Sequence, residues 1–270
     1  MCPLSRRFYG HRPMRPPVES TGLVSKVAAL LRAVGGTGTS GGATSDLARA
    51  AGIPRPTAHR LLGSLTEEGL VDRDPRSGRW FLGPELYLLG SVAASRYDIT
   101  GYAQDVLDEL ARSTGESAFL SARRGDETVC LLEREGSFPL RSHVLREGRR
   151  FPLGVASAGL AILSHLTPAE VDAFFGRTEL ESWGSAHREA AIRERIAVTR
   201  QHGYALNPGL IVEGSWGIGA AVFDRAGQPA WALSLTGVES RFDSTRLREL
   251  GPRLVESAYR LSKLLEGKTG

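Results

Sequence analysis

The most restrictive feature of the chain is the tripeptide Gly52-Ile53-Pro54, which joins two helix-forming stretches through a single tight turn. Before it, Asp46 to Ala51 has an acidic first turn, and Thr44 and Ser45 offer caps. After it, a helix opens around Pro56, where a missing N–H would be unpaired in any case. This helix runs to about Glu68, and Gly69 ends it. At about 100° per residue, Ala58, Leu61, Leu62 and Leu65 share one face and must pack inward. Arg60 projects from the opposite face, flanked by Thr57 and His59, with Arg55 at the helix start.

The flanking segments narrow the choice further. Leu23, Val27, Leu30, Leu31 and Val34 recur at helical spacing, and Gly35-Gly36 stops that helix. The stretch Gly35 to Gly42, rich in Gly, Ser and Thr, predicts a flexible loop. Beyond Gly69, Leu70 to Arg73 and Arg79 to Leu82 flank the turn Asp74-Pro75-Arg76-Ser77-Gly78, a β-hairpin with arginines near its tip. Helix, short helix, tight turn, helix and basic hairpin is the order of a winged helix-turn-helix. A helix fits the DNA major groove while its first residues reach base edges, and the hairpin lies along an adjacent phosphate strand or minor groove. The candidate DNA contacts are Thr44, Arg55, Thr57, His59, Arg60, Arg73, Arg76 and Arg79. A small three-helix domain with merely solvated arginines, or a helix-turn-helix that mediates protein contacts, is the competing reading.

Charge distribution supports the first reading. Residues 1–95 carry 12 Lys and Arg against 7 Asp and Glu, whereas residues 96–270 carry 22 against 23. The basic excess therefore sits in the N-terminal third, as a nucleic-acid-binding module beside a neutral partner would have it. Residues 1–19 combine Arg6, Arg7, Arg12 and Arg15 with four prolines and lack the apolar run of a signal peptide, so they are expected to form a flexible basic arm.

From Pro84 the pattern is helical again, with Leu86, Leu88, Leu89, Val92 and Ala93 forming a broad apolar surface suited to joining two domains and meeting a second subunit. A further helix spans about Thr100 to Ser113. Strands then alternate with helices. Ser117 to Ala122 and Thr128 to Glu133 flank one hairpin turn, and Ile218 to Phe223 and Ala230 to Leu235 flank another. Leu140 to Leu145 suggests an additional strand. Ala156 to Leu166, His187 to His202 and Ser244 to Leu265 read as helices, and Thr167-Pro168-Ala169-Glu170 is a capping-box start to another. The expected organisation is an arm (1–19), a winged helix-turn-helix domain (20–83), a linker helix (84–97) and an α+β domain around an antiparallel sheet (98–270).

These residues resemble a known family. Gly52-Ile53-Pro54-Arg55-Pro56-Thr57-Ala58-His59-Arg60-Leu61-Leu62 followed by Gly69-Leu70-Val71 is similar to the helix-turn-helix of the IclR family of bacterial transcriptional regulators. Trp80-Phe81-Leu82-Gly83-Pro84 resembles its wing-to-linker junction. Phe151-Pro152-Leu153, Ser157-Ala158-Gly159-Leu160-Ala161, Gly203-Tyr204-Ala205, Gly214, Ile218, Ala220 and Ser234-Leu235-Thr236-Gly237 continue the resemblance over roughly residues 20 to 266. The resemblance implies a GAF-like effector domain that binds small, often acidic or aromatic metabolites. It also implies a dimerising linker helix, assembly as a homodimer or dimer of dimers, palindromic operator DNA as partner, and repression or activation of a metabolic operon, with repression the expected outcome. Carried over by position, the effector-binding candidates are Ser157, Ala158, Asn207, Gly217, Ser234 and Thr236. The residues themselves are compatible: Ser157 lies near a helix N-terminus, which favours an anion, and Ser234 and Thr236 face the same side of a strand.

The chain departs from the family where many relatives carry an acidic run: Asn207-Pro208-Gly209-Leu210 contains no carboxylate, and Leu160 stands where a Lys is frequent. A neutral or singly charged effector with substantial apolar surface is therefore expected rather than a small dicarboxylate. Enzymatic chemistry is not expected, since no G-x-S-x-G elbow, P-loop or H-E-x-x-H occurs. Gly214-Ser215-Trp216-Gly217-Ile218-Gly219 lacks the third glycine and strand-to-helix context of a dinucleotide fold. The six histidines show no metal-ligand pairing, Cys130 sits in an apolar strand and pairs with no neighbouring Cys, and no cofactor is implied. The longest weakly polar run, Gly154 to Leu163, is about half of the roughly 20 residues a membrane helix needs. With two cysteines, a reducing cytoplasm is the expected location.

Overall fold

A computed structural model of the chain describes residues 22–94, 99–140, 142 and 144–266. The basic arm and the last residues of the linker, 95–97, lie outside the described residues. The chain divides into two compact units, 1–97 and 98–270, which are taken separately.

In the first unit α1 (Leu23–Gly35), α2 (Thr44–Ala51) and α3 (Arg55–Glu67) precede a two-stranded antiparallel hairpin of β1 (Val71–Arg73) and β2 (Trp80–Leu82), and α4 (Pro84–Ala94) follows. Leu30, Val34, Leu47, Ala48, Ala58, Leu61, Leu62, Leu65, Val71 and Trp80 form one core. The inward face of α3 is thus the one its periodicity dictates. Gly52 ends α2 at φ +66, a left-handed conformation that a side chain would strain, and this is what turns the chain into α3.

One expectation is corrected here. Ala43 is the cap residue of α2 and neither Thr44 nor Ser45 caps it with a side chain, because Thr44 is already the first helical residue. Its hydroxyl oxygen instead accepts a hydrogen bond from Trp80 Nε1 at 2.9 Å. The stretch Gly35 to Gly42 also holds more regular structure than its Gly, Ser and Thr content leads one to expect. Gly38–Ser40 forms a 3₁₀ turn, and Gly42 bridges to Trp80 through two backbone hydrogen bonds of 2.9 Å each. Two glycines of the stretch permit close approach: a Cβ on Gly41 would stand 2.4 Å from the Phe81 ring, and one on Gly42 would stand 2.5 Å from Leu47.

The second unit starts with α5 (Ile99–Thr114) and the hairpin β3 (Ser117–Arg124) and β4 (Glu127–Arg134). β5 (Arg150–Pro152), α6 (Ser157–Ser164), α7 (Pro168–Phe175) and α8 (Glu189–His202) follow. β6 (Ala205–Pro208), β7 (Ser215–Phe223), β8 (Pro229–Val238) and α9 (Ser244–Glu266) complete it. The six strands make one antiparallel sheet in the order β5-β4-β3-β8-β7-β6. One face is covered by a core that includes Phe119, Phe151, Leu160, Phe174 and Ile192, the other by one that includes Leu107, Leu120, Ile218, Leu233 and Leu254. Because both faces are buried, β3, β7 and β8 read as nearly continuous apolar runs instead of alternating ones.

Of the strand expected over Leu140 to Leu145, residues 141 and 143 lie outside the described residues and the described ones are in no strand; the outer strand is Arg150–Pro152. Cys130 N–H donates to Arg149 O at 2.9 Å and Gly148 N–H to Cys130 O at 2.8 Å, so the later segment occupies the edge of β4 and Leu145 merely folds inward. The long polar helix starts at Glu189, two residues later than expected, with His187 buried in a 3₁₀ turn before it. The edge strand β6 carries no alternation strong enough to announce itself in four residues. The capping box of α7 is present in full: Glu170 N–H donates to Thr167 Oγ1, and Thr167 N–H donates to Glu170 Oε2 at 2.9 Å. Buried Glu116 accepts from Arg241 Nε at 2.8 Å and from Arg246, tying the start of β3 to α9.

Candidate functional site

Two surfaces gather the candidate residues, one in each unit. On the first, α3 presents Arg55, His59 and Arg60 to solvent, with Thr57 half-buried. Among the described residues, neither Arg60 nor Arg76 is in an ion pair, so both guanidinium groups are available to an external anion. The hairpin tip is organised by Asp74, whose Oδ1 accepts from Arg76 N–H at 2.7 Å and from Ser77 N–H at 3.3 Å. Those backbone donors hold its carboxyl below the usual carboxylate range. Arg73 lies with its guanidinium 5.3 Å from the Trp80 ring centre and donates to Gly78 O. Arg79 Nη1 donates to Gly41 O at 2.9 Å and Ser40 O at 3.3 Å. One nitrogen of Arg79 thus fastens the hairpin to the loop after α1, a structural duty that its position in the sequence does not disclose.

On the second surface, a cavity of about 460 Å³, counted with the part open to solvent, lies between the sheet and the start of α6. All six residues carried over by resemblance line it: Ser157, Ala158, Asn207, Gly217, Ser234 and Thr236. Strand register brings them together. Asn207 on β6 pairs with Gly217 on β7, and Gly217 pairs with Thr236 on β8, so the three form a row across the sheet. Gly219 faces Ser234 in the next row but one, and a Cβ there would meet the Ser157 carbonyl at 2.6 Å, so only glycine lets α6 settle this close. The hydroxyls of Ser234 and Thr236 are buried and have no protein partner. Buried hydroxyls of this kind are costly unless something accepts or donates to them.

Asn207 is partly engaged already. Its Nδ2 donates to Val155 O at 2.8 Å and its Oδ1 accepts from Leu210 N–H at 3.0 Å, leaving one N–H and one lone pair. The remaining wall goes beyond those six: Ser121, Thr128 and Phe151 from the β3-β4-β5 side, Val144 and Leu145 from the segment before β5, Ile211 from the turn before β7, and Ser215 and Trp216 from the start of β7. Only the pairing of distant strands assembles these, so no local pattern marks them. Among the described residues, no ionisable side chain lines the cavity. Beyond its wall, His187 Nδ1 lies 2.9 Å from Trp183 O and Nε2 3.4 Å from Val155 O. Burial and the nearby Arg195 push the imidazole below its ordinary value. Burial likewise pushes the Cys130 thiol up to about 12, which removes it as a nucleophile near neutral pH. Among the described residues no group of His, Cys, Asp and Glu could hold a metal ion, and no helix is long and apolar enough to cross a membrane.

Comparison with known proteins matches both units. Residues 23–75 match the IclR helix-turn-helix domain, and residues 91–263 match the bacterial transcriptional regulator IclR C-terminal domain. The chain is 33% identical over 222 residues to the HTH-type transcriptional regulator KipR of Bacillus subtilis, covering 81% of this chain and 88% of that protein. It is 25% identical over 254 residues to the acetate operon repressor of Salmonella typhimurium, covering 92% and 93%. In structure it is similar to an IclR homologue from Microbacterium hydrocarbonoxydans, solved in complex with 4-hydroxybenzoate. The TM-score is 0.74 at 21% identity, covering 92% of this chain and all of that one.

Proposed function

The chain belongs to the IclR family of bacterial transcriptional regulators, and we propose that it represses an operon of small-molecule metabolism under the control of an effector bound in the cavity of residues 98–270. The observation that carries this reading is the cavity itself. Its wall supplies unpartnered hydroxyls at Ser234 and Thr236, the first turn of α6 at Ser157 and Ala158, and apolar surface from Phe151, Ile211 and Trp216, with no ionisable side chain among the described residues. Such a wall suits a neutral or singly charged molecule with a substantial apolar body. A small dicarboxylate would leave its second carboxylate desolvated and unpaired. The repressor assignment follows relatives such as the acetate operon repressor.

For the DNA, we assign Arg60, with Arg55, Thr57 and His59, to the major groove, and Arg73, Arg76 and Arg79 to the hairpin's backbone contacts. Thr44 belongs to the same surface. We further assign dimerisation to α4, whose Tyr87 is 76%, Leu88 57% and Leu89 53% exposed, an apolar surface that a lone copy would leave in water. Two recognition helices related by a two-fold axis reach half-sites about one turn, roughly 34 Å, or a multiple apart. Selection of duplexes from a random pool by the full chain tests this. An inverted repeat with that spacing is expected; recovery of no duplex, or of a site without two-fold symmetry, contradicts it.

A further inference from the structure

Trp80 occupies an unusual place among the groups on the first surface. It is 3% exposed and belongs to the core, yet it touches every element that faces outward there. Its indole N–H donates to Thr44 Oγ1 at the start of α2, at 2.9 Å. The His59 ring of α3 meets it edge-on, with centroids 6.5 Å apart and planes at 86°. The Arg73 guanidinium of β1 lies 5.3 Å from its ring centre. Its backbone bridges Gly42 in the loop after α1. One side chain thus sets the distance between the start of α2, the outer face of α3 and the hairpin.

From these contacts we infer that Trp80 is the positioning residue of the DNA-binding surface. It holds Thr44, His59 and Arg73 in one arrangement, so that hairpin and recognition helix engage a duplex as a rigid pair. The inference rests on the DNA-binding reading above and adds to it a residue that never touches DNA. Two physical points favour it over a purely packing role. A buried indole needs a partner for its N–H, and the partner is the hydroxyl of a half-buried residue at the edge of the surface rather than a core carbonyl. Thr44 Oγ1, having accepted that bond, keeps its own O–H as a donor, limited to the directions the indole leaves open. Groups held this way lose little freedom on binding, which favours affinity without any new contact.

The test uses the full chain and the duplex it selects from a random pool, together with an unrelated duplex. Trp80→Phe keeps a ring but removes the N–H. Thr44→Val removes its acceptor at nearly constant volume, and Thr44→Ser restores it. For Trp80→Phe and for Thr44→Val we expect about a tenfold loss on the selected duplex and a much smaller loss on the unrelated one. The salt slope should stay unchanged, because no phosphate contact is lost. The double variant should bind no worse than the weaker single one, the signature of a shared interaction. Thr44→Ser should bind within twofold of the natural chain. Equal losses on both duplexes, strictly additive losses, or failure of Thr44→Ser to recover binding would overturn the inference. A salt slope that falls by about one in Thr44→Val would make Thr44 a phosphate contact and Trp80 a bystander. If Trp80→Phe fails to fold, Trp80→Tyr takes its place in the same cycle with Thr44→Val, and strictly additive losses at the two positions overturn the inference. If the natural chain selects no duplex, the DNA-binding reading fails and this inference with it.

Discussion

The recognition surface of residues 22–94 and the cavity of residues 98–270 are built on opposite principles. The first exposes charge: Arg55 and Arg60 stand in water on a helix whose other face is core, and Arg76 stands in water at the hairpin tip. The second buries polarity without charge: Ser234 and Thr236 turn unpartnered hydroxyls into a space whose wall holds no ionisable side chain among the described residues. A polyanion such as DNA is met by fixed cations that release its counterions. A small effector, on the function proposed above, is met by buried hydroxyls beside apolar surface, where a hydrogen bond left unmade is costly. The comparison teaches that one chain can separate long-range attraction from short-range selectivity by assigning them to different folds.

The largest effect that would sharpen this contrast is on folding. Glu116 is buried and holds Arg241 and Arg246, so Glu116→Ala should cost residues 98–270 about 3 kcal/mol, within the range for breaking a buried pair. Separate unfolding transitions, followed by denaturant titration, should show the loss confined to that unit. An equal loss in the N-terminal unit would show that the two are not energetically distinct. Next in size is Arg60→Ala, which should cost about 1–3 kcal/mol of binding and relax base preference at one position. Unchanged affinity in a folded variant would remove Arg60 from the surface.

Arg76→Ala should weaken binding to all duplexes alike and lower the salt slope by about one. Arg79→Ala should behave differently, since its Nη1 is committed to the carbonyls of Ser40 and Gly41. It should also raise hydrogen exchange in residues 38–42. Identical behaviour of the two variants would erase the distinction drawn between a free and a fastened arginine.

The smallest effect concerns pH. Burial and Arg195 lower the pKa of His187, and burial and Arg200 lower that of His165. The unfolded chain therefore binds more protons than the folded one just below the ordinary histidine value of about 6.5. Stability of residues 98–270 should fall as pH drops through that value towards the folded pKa, and be fully present above it. His187→Gln should flatten the slope between about pH 5.5 and 7. An unchanged slope would mean that His187 takes up its proton equally in the folded and the unfolded chain.

What could be read from the sequence divides along the same line. The inward face of α3, the turn at Gly52 and the hairpin follow from local periodicity and turn chemistry, because each is decided within a dozen residues. The bond between Thr44 and Trp80 spans 36 residues, and the Arg79 bonds to Ser40 and Gly41 span 39 and 38, so none of them could be seen locally. A glycine-rich stretch likewise says that the backbone is unhindered, not whether it moves; at Gly41 the missing Cβ makes room for Phe81. The cavity was accessible only through family resemblance, which brought six of its residues and none from β3, β4 or β5. Ser121, Thr128 and Phe151 join the wall through strand order, a property of pairing and not of pattern.

The central claim, that the uncharged polar cavity governs DNA binding, is met most directly by fluorescence anisotropy of the full chain on its selected duplex. The titration compares 4-hydroxybenzoate and other neutral or singly charged aromatic and medium-sized acids with small dicarboxylates such as succinate. The account predicts that at least one compound of the first class changes the apparent Kd tenfold or more, a coupling of about 1.4 kcal/mol. It also predicts that Ser234→Ala and Thr236→Val blunt the response while leaving ligand-free affinity unchanged. A response to dicarboxylates alone, or one that survives both substitutions, would contradict it.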